Sequence, residues 1–174
     1  VSVHLYLDID GVLNAHDALL LPAAQKSWPD YRTHGRYEVI SPSMVAGLNQ
    51  VIAAHDLKVF WLTTWEAEAP AWGESIGLTG ATDWPWLPTH YRDDAPGNWG
   101  KHRTIQEHVQ ETQPAYAFWY DDDLAREPAA QQWAHRSRIH AHAPNPAHGI
   151  TPSMLHAMQT TLHQNTPTKA SNTP

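Results

Sequence analysis

The 174-residue chain carries a formal net charge of −7, no cysteine, 41% hydrophobic residues and nine tryptophans. That length suits one domain with a real core, and the acidic balance argues against a sequence-independent nucleic-acid binder, which needs a basic face, without excluding a local basic pocket. With no cysteine there is no disulfide framework and no thiolate chemistry, which points to the cytosol. No apolar run approaches the roughly 18 residues of a membrane span, and the first residues lack the charged and apolar regions of a signal peptide.

Val3 to Leu7 reads as a buried strand, because its apolar run stops abruptly at a turn signal. The strand ends in Asp8-Ile9-Asp10-Gly11-Val12-Leu13-Asn14, two carboxylates two residues apart and then a glycine that turns freely. Ala15 to Ile40 has no sustained period and reads as an irregular excursion beside this turn, a small flap. Ser41-Pro42 starts a helix, with Ser as N-cap and Pro at the first position. Met44, Val45, Leu48, Val51 and Ile52 form its apolar stripe. A second strand, Lys58 to Leu62, ends in Thr63-Thr64-Trp65. Ala67 to Ile76 reads as a short helix despite Pro70, and the Pro-, Gly- and Trp-rich stretch Gly77 to Gly100 as a long loop of functional or disordered type.

Lys101 to Glu111 predicts a helix with Ile105 and Val109 inward. Ala115 to Tyr120 predicts a third strand, ending in Asp121-Asp122-Asp123. A short helix over Pro128 to His135 and a fourth strand over Ser137 to His142 follow. Thr151-Pro152 repeats the Ser41-Pro42 cap ahead of Met154, Leu155, Met158 and Leu162 on one helical face. The expected organisation is one domain over residues 1–164 and a polar, disordered tail over 165–174. Alternating strands and helices argue for an α/β fold: a three-layer, Rossmann-like parallel sheet with helices on both faces.

In such a sheet ligands bind outside the carboxyl ends of the strands. Asp8 and Asp10, Thr63 and Thr64, and Asp121 to Asp123 would then share one rim, with Lys101 entering from a helix start. Crowded carboxylates need a cation or a shared proton. Carboxylates without imidazole or thiolate suit a hard cation, and Mg²⁺ takes one or two carboxylates, waters and phosphate oxygens. Mg²⁺, a lysine and a hydroxyl stabilise a phosphoryl group as it transfers. An aspartate can serve as its nucleophile, and a second carboxylate two residues on as general acid and base.

Asp8-Ile9-Asp10-Gly11-Val12-Leu13-Asn14 resembles the first motif of the haloacid dehalogenase (HAD) superfamily. Thr63, after Val59-Phe60-Trp61-Leu62, resembles the second motif, Lys101 the third and Phe118-Trp119-Tyr120-Asp121-Asp122 the fourth, in the family's order. Trp61 to Glu66 and Trp119 to Asp123 also resemble a small, capless branch related to the phosphatase-like domains of RNA-repair proteins. The resemblance implies a Mg²⁺-dependent phosphomonoester hydrolase working through phospho-Asp8. It implies Asp8 as nucleophile and metal ligand, and Asp10 as acid/base with its main-chain carbonyl on the metal. Thr63 would bind phosphoryl oxygens, with Thr64 as the fallback, and Lys101 would neutralise the nucleophile and phosphate. Asp122 is the first choice as acidic metal ligand, Asp121 binds directly or through water, and Asp123 lies outside the ligand set. A substantial cap is missing or much reduced, because the spans between motifs are too short for a separate unit. The expected substrate is a phosphorylated small molecule, a nucleotide or a nucleic-acid-end phosphate; no membrane is implied, and the oligomeric state is open.

Each motif also has a plainer reading. Lys101 is then an exposed helix lysine, Thr63 a capping hydroxyl and the acidic run a solvated turn. Trp65, Trp84, Trp86 and Trp99 fit burial under loops better than base stacking. His140, His142 and His148 superficially suggest zinc, a signal diluted by 13 histidines spread along a cysteine-free chain. Arg32, Arg36, Arg92 and Arg103 fall near the presumed rim and read mostly as surface residues. Two rivals remain. One is a receiver-like phosphoacceptor, disfavoured because the strand after the first ends in threonine; the other is a HAD-fold binding module without turnover.

Overall fold

The computed structural model describes residues 2–90 and 99–165. In chain order the elements are β1 (Val3–Leu7), β2 (Arg32–His34), β3 (Glu38–Ile40), α1 (Pro42–His55), β4 (Lys58–Trp61), α2 (Ala69–Ser75), α3 (Gly100–Thr112), β5 (Tyr116–Tyr120), α4 (Pro128–Arg136), β6 (Ile139–His142) and α5 (Pro152–Asn165). Four strands form a parallel sheet in the order β4-β1-β5-β6. Leu7 pairs with Trp61 on one side and Tyr120 on the other, so the carboxyl ends of β4, β1 and β5 finish level.

The period of two along each strand divides the core into two layers. Leu5, Leu7, Val59, Trp61, Phe118 and Tyr120 face α1 and α5, meeting Leu48, Val51, Leu155 and Met158. Tyr6, Phe60, Ala117 and Trp119 face the other way, toward Ile105 of α3 and Ala130 and Ala134 of α4. Helices therefore cover both faces, as the α/β reading expects.

Helix starts follow the predicted cap chemistry. Ser41 Oγ accepts from Met44 N at 3.1 Å, and Thr151 Oγ1 accepts from Met154 N at 3.3 Å. Asp30 strengthens the first cap, accepting from Ser41 Oγ and from both Ser43 N and Ser43 Oγ.

Three stretches depart from expectation. The excursion over Ala15 to Ile40 holds two short 3₁₀ turns and the antiparallel hairpin β2-β3; strands of three residues are too short to show a period. It is tied to the body rather than folded as a separate cap: Trp28 Nε1 donates to Ile150 O at 2.8 Å and Tyr31 Oη to His148 O at 2.5 Å. The predicted helix over Ala67 to Ile76 divides into a 3₁₀ turn, Glu66–Glu68, and α2. Pro70 sits in the first turn of α2, where its missing N–H costs nothing.

Residues 91–98 of the expected loop, Arg92 among them, lie outside the described residues. Its earlier part is more ordered than a featureless loop. Trp61 N donates to Pro85 O and Leu87 N to Trp61 O, both at 2.9 Å, so this segment pairs along the outer edge of β4. Asn165 still belongs to α5 rather than to a tail, and residues 166–174 lie outside the described residues. Among the described residues no helix is long and apolar enough to cross a membrane.

Candidate active site

The acidic turn after β1 is closed by its own backbone. Val12 N, Leu13 N and Asn14 N all converge on Ile9 O, and Gly11 N donates to Asn14 O. The ladder carries Asp8 into the sheet rim, where Asp8 N donates to Tyr120 O at 3.1 Å and Asp121 N to His142 O at 3.1 Å. Asp8 and Asp121 are thereby set side by side at the ends of neighbouring strands.

Lys101, from the first turn of α3, enters between them. Its Nζ donates to Asp8 Oδ2 at 2.6 Å and to Asp121 Oδ2 at 2.9 Å. All three side chains are nearly out of reach of solvent, with Asp8 and Lys101 5% exposed and Asp121 0%. Burial alone would lower the lysine's pKa, but the Asp121 and Asp8 carboxylates outweigh it and raise it. An exposed helix lysine is therefore not what the structure contains.

Burial, with the Asp8 charge beside it, pushes the Asp121 carboxyl well above the usual carboxylate range against the pull of Lys101. Burial and the charges of Asp123 and Asp8 also raise the Asp122 carboxyl. Asp8, Asp121 and Asp122 each offer an oxygen within 4.8 Å of the others. Three hard oxygen donors facing one lysine match what a divalent hard cation requires, so the donor set fits Mg²⁺. Asp123 instead pairs with Arg126 and is not part of the three-carboxylate group.

The second carboxylate is held differently. Asp10 Oδ1 accepts from Asn14 Nδ2 at 2.8 Å, and Asp10 Oδ2 accepts from Trp65 Nε1 at 2.9 Å. Its side chain stays 43% exposed, with His16 Nε2 at 3.8 Å. The Asp10 side chain is not part of the three-carboxylate group. Thr63 is buried while Thr64 is exposed. Thr63 Oγ1 accepts from Trp65 N at 3.4 Å, an arrangement that leaves its proton for donation.

Sequence reasoning gave neither Asn14 nor Glu66 a role, and treated Trp65 only as a buried or stacking ring. Glu66 Oε1 accepts from Thr89 N and Thr89 Oγ1, both at 3.0 Å. This contact fastens the loop that leads toward α3 onto the turn after β4. The one available signal was position, since Trp65 and Glu66 directly follow the Thr63-Thr64 doublet.

The expectation of buried tryptophans fails at Trp86, which is exposed at 42%. Trp99 stacks on Trp119 at 5.2 Å, and Trp65 lies against Trp72 at 5.5 Å. His140 stacks on Phe118, His142 on Tyr120, and His148 meets Ser27 Oγ; among the described residues no histidine joins a metal-sized cluster. Arg32 and Arg36 lie exposed on the hairpin.

A family model described as the HAD domain in Swiss Army Knife RNA repair proteins matches residues 4–155. No curated protein matches the chain.

Proposed function

The chain belongs to the HAD domains of Swiss Army Knife RNA repair proteins, a phosphatase-type hydrolase family, and from that premise we propose that it hydrolyses a phosphomonoester through a phospho-Asp8 intermediate. The observation that carries this reading is Lys101 Nζ held between Asp8 Oδ2 and Asp121 Oδ2, with Asp122 beside them. A buried lysine bonded to a carboxylate fixed at a strand end suits a nucleophile that must meet an anionic phosphate.

In the first half-reaction an Asp8 oxygen attacks phosphorus as the ester P–O bond breaks. The Asp10 carboxyl gives its proton to the departing oxygen. In the second half-reaction Asp10, now a carboxylate, takes a proton from water as that water's oxygen attacks phosphorus. The P–O bond to Asp8 then breaks, releasing phosphate and restoring both side chains. Lys101 offsets charge on Asp8 and the phosphoryl oxygens, and the Thr63 hydroxyl donates to one of those oxygens. Asp8, Asp121 and Asp122 would hold Mg²⁺, with the Asp10 main-chain carbonyl as a further ligand; the ion supplies positive charge for carboxylates and phosphate alike.

The substrate we favour is a nucleotide or a nucleic-acid-end phosphate. The RNA-repair setting of the family supports it, as does the bonding of residues 15–40 to the body instead of into a cap.

The test is phosphate release from a panel of nucleotides, 3′- and 5′-phosphorylated oligonucleotides, sugar phosphates and p-nitrophenyl phosphate. It is run with Mg²⁺, with EDTA, and with Asp8→Asn. The expected result is release that needs both Mg²⁺ and Asp8, strongest on a nucleotide or oligonucleotide end. Release that survives Asp8→Asn would remove the nucleophile, and no release from any member would leave a binding module.

A further inference from the structure

We propose that Trp65 and Asn14 are positioning residues that clamp the Asp10 carboxylate for its proton-transfer role, an inference that rests on the phosphomonoesterase reading above. The two oxygens of Asp10 are taken by two donors from different elements. Asn14 approaches from the turn after β1 with Nδ2 at 2.8 Å, and Trp65 from the turn after β4 with Nε1 at 2.9 Å. A carboxylate bonded at both oxygens cannot swing about its side-chain torsions, although this one stands 43% exposed at the rim.

Each donor is itself immobilised. Asn14 is buried, and its Oδ1 accepts from Val39 N at 2.8 Å. With its oxygen committed to a backbone N–H, the amide must present its NH₂ group to Asp10. The indole of Trp65 lies against Trp72 at 5.5 Å and has one polar atom, a donor that cannot reverse its role. The residue after it, Glu66, sits at φ +44° and is held there by the bonds from Thr89.

The clamp leaves the chemistry open. Each carboxylate oxygen has a second lone-pair site, so Asp10 can carry a proton or meet a leaving oxygen without releasing either donor. Holding an acid in the productive orientation is worth most when the departing oxygen most needs a proton. An alkoxide leaving group is strongly basic, whereas p-nitrophenolate departs with little help. The clamp should therefore matter in the first half-reaction, which kcat/KM reports, for alkyl phosphates and hardly at all there for p-nitrophenyl phosphate.

The experiment measures kcat and KM on p-nitrophenyl phosphate and on a simple alkyl phosphate, for wild type, Asp8→Asn, Trp65→Phe and Asn14→Leu. Trp65→Phe keeps a ring against Trp72 and loses only the donor; Asn14→Leu removes the second donor in a side chain of similar size. Each variant is expected to lose about tenfold or more in kcat/KM on the alkyl ester, within the range general-acid catalysis supplies, and about twofold or less in kcat/KM on the aryl ester. On the aryl ester kcat, which also contains the second half-reaction with Asp10 as base, should fall at least as far as kcat/KM. Combining Trp65→Phe with Asp10→Asn should cost nothing beyond Asp10→Asn alone on the alkyl ester. Two variants are used so that misfolding of one leaves the other to decide. Equal losses of kcat/KM on both esters, or a further loss in the double variant, would overturn the clamp while leaving Asp8-dependent hydrolysis in place. Wild-type turnover that is absent, or that survives Asp8→Asn, would overturn the underlying reading and the clamp with it.

Discussion

A Cβ on Gly11 would collide with Cγ of Asp122. The acidic turn after β5 is pressed against the turn after β1 at the one position with no side chain, and Gly11 also holds φ +71°. Gly11→Ala should therefore act twice. The left-handed backbone costs about 1–3 kcal/mol, and the methyl group displaces the Asp122 carboxylate from Asp8 and Asp121. The expected outcome is a lower Tm and a smaller rise in Tm on adding Mg²⁺ than wild type shows. A variant that responds to Mg²⁺ as wild type does would remove Asp122 from the ligand set.

Lys101→Met tests the centre of the site. Removing one partner of a buried ion pair typically costs about 3–5 kcal/mol, because the charges left behind lose their compensation. Here Asp8 and Asp121 would face each other with no ammonium between them. Lys101→Met should unfold at a markedly lower temperature and lose activity by at least about a hundredfold. Adding Asp121→Asn should restore much of the stability, since it removes one of the stranded carboxylates, and none of the activity. Thermal melts of the three proteins measure the first effect and phosphate release the second.

How far the sequence discloses this arrangement depends on the range of the interaction. The strand over Val3 to Leu7 and the helices capped by Ser41 and Thr151 rest on local patterns of period and capping, and the structure has them. Asp8, Lys101 and Asp121 could be picked out because each lies at the end or start of an element that a parallel sheet brings to one rim. The hairpin β2-β3 escaped because three-residue strands with exposed Arg32 and Thr33 carry no alternation. The bond from Trp65 to Asp10 joins side chains 55 positions apart, and nothing in local composition marks such a pair. Pairing of Pro85 to Leu87 along β4 is equally hidden, because a proline-rich segment reads as a loop.

A buried histidine far from the catalytic chemistry sets a pH limit on stability. His4 Nδ1 lies 3.2 Å from Tyr6 Oη, which in turn meets His108 Nδ1 at 2.8 Å. Burial, with the charges of His108 and Lys58 nearby, lowers the His4 pKa from 6.5 to about 4. As pH falls, the unfolded chain therefore takes up this proton before the folded one does. The contribution is complete above pH 6.5 and is lost progressively down to about pH 4. His4→Phe cannot titrate and leaves the Tyr6–His108 contact available. Its Tm should fall less than that of wild type between pH 7 and pH 4.5. Parallel melting curves for the two proteins over that range would exclude His4 as a source of the acid sensitivity.

Glu66 separates a strained backbone from the bonds that hold it. Its φ of +44° is unfavourable for any residue with a side chain, and Glu66 Oε1 accepts from both Thr89 N and Thr89 Oγ1. Glu66→Gln keeps an oxygen acceptor with the same reach and should lie close to wild type in Tm. Glu66→Ala keeps the unfavourable φ and loses both bonds, each worth about 1–3 kcal/mol when a charged acceptor is removed. Glu66→Gly loses the same bonds but occupies a positive φ without steric cost, so it should be more stable than Glu66→Ala by up to about 1 kcal/mol. The predicted order of Tm is wild type, then Gln, Gly and Ala. Thr89 is buried and is followed by the segment that runs toward Lys101, so slackening there should also lower kcat in the order of lost bonds. Ala and Gly should then fall together in kcat while differing in Tm. If Ala proved the more stable of the two, the strain at Glu66 would not be what the Thr89 bonds oppose.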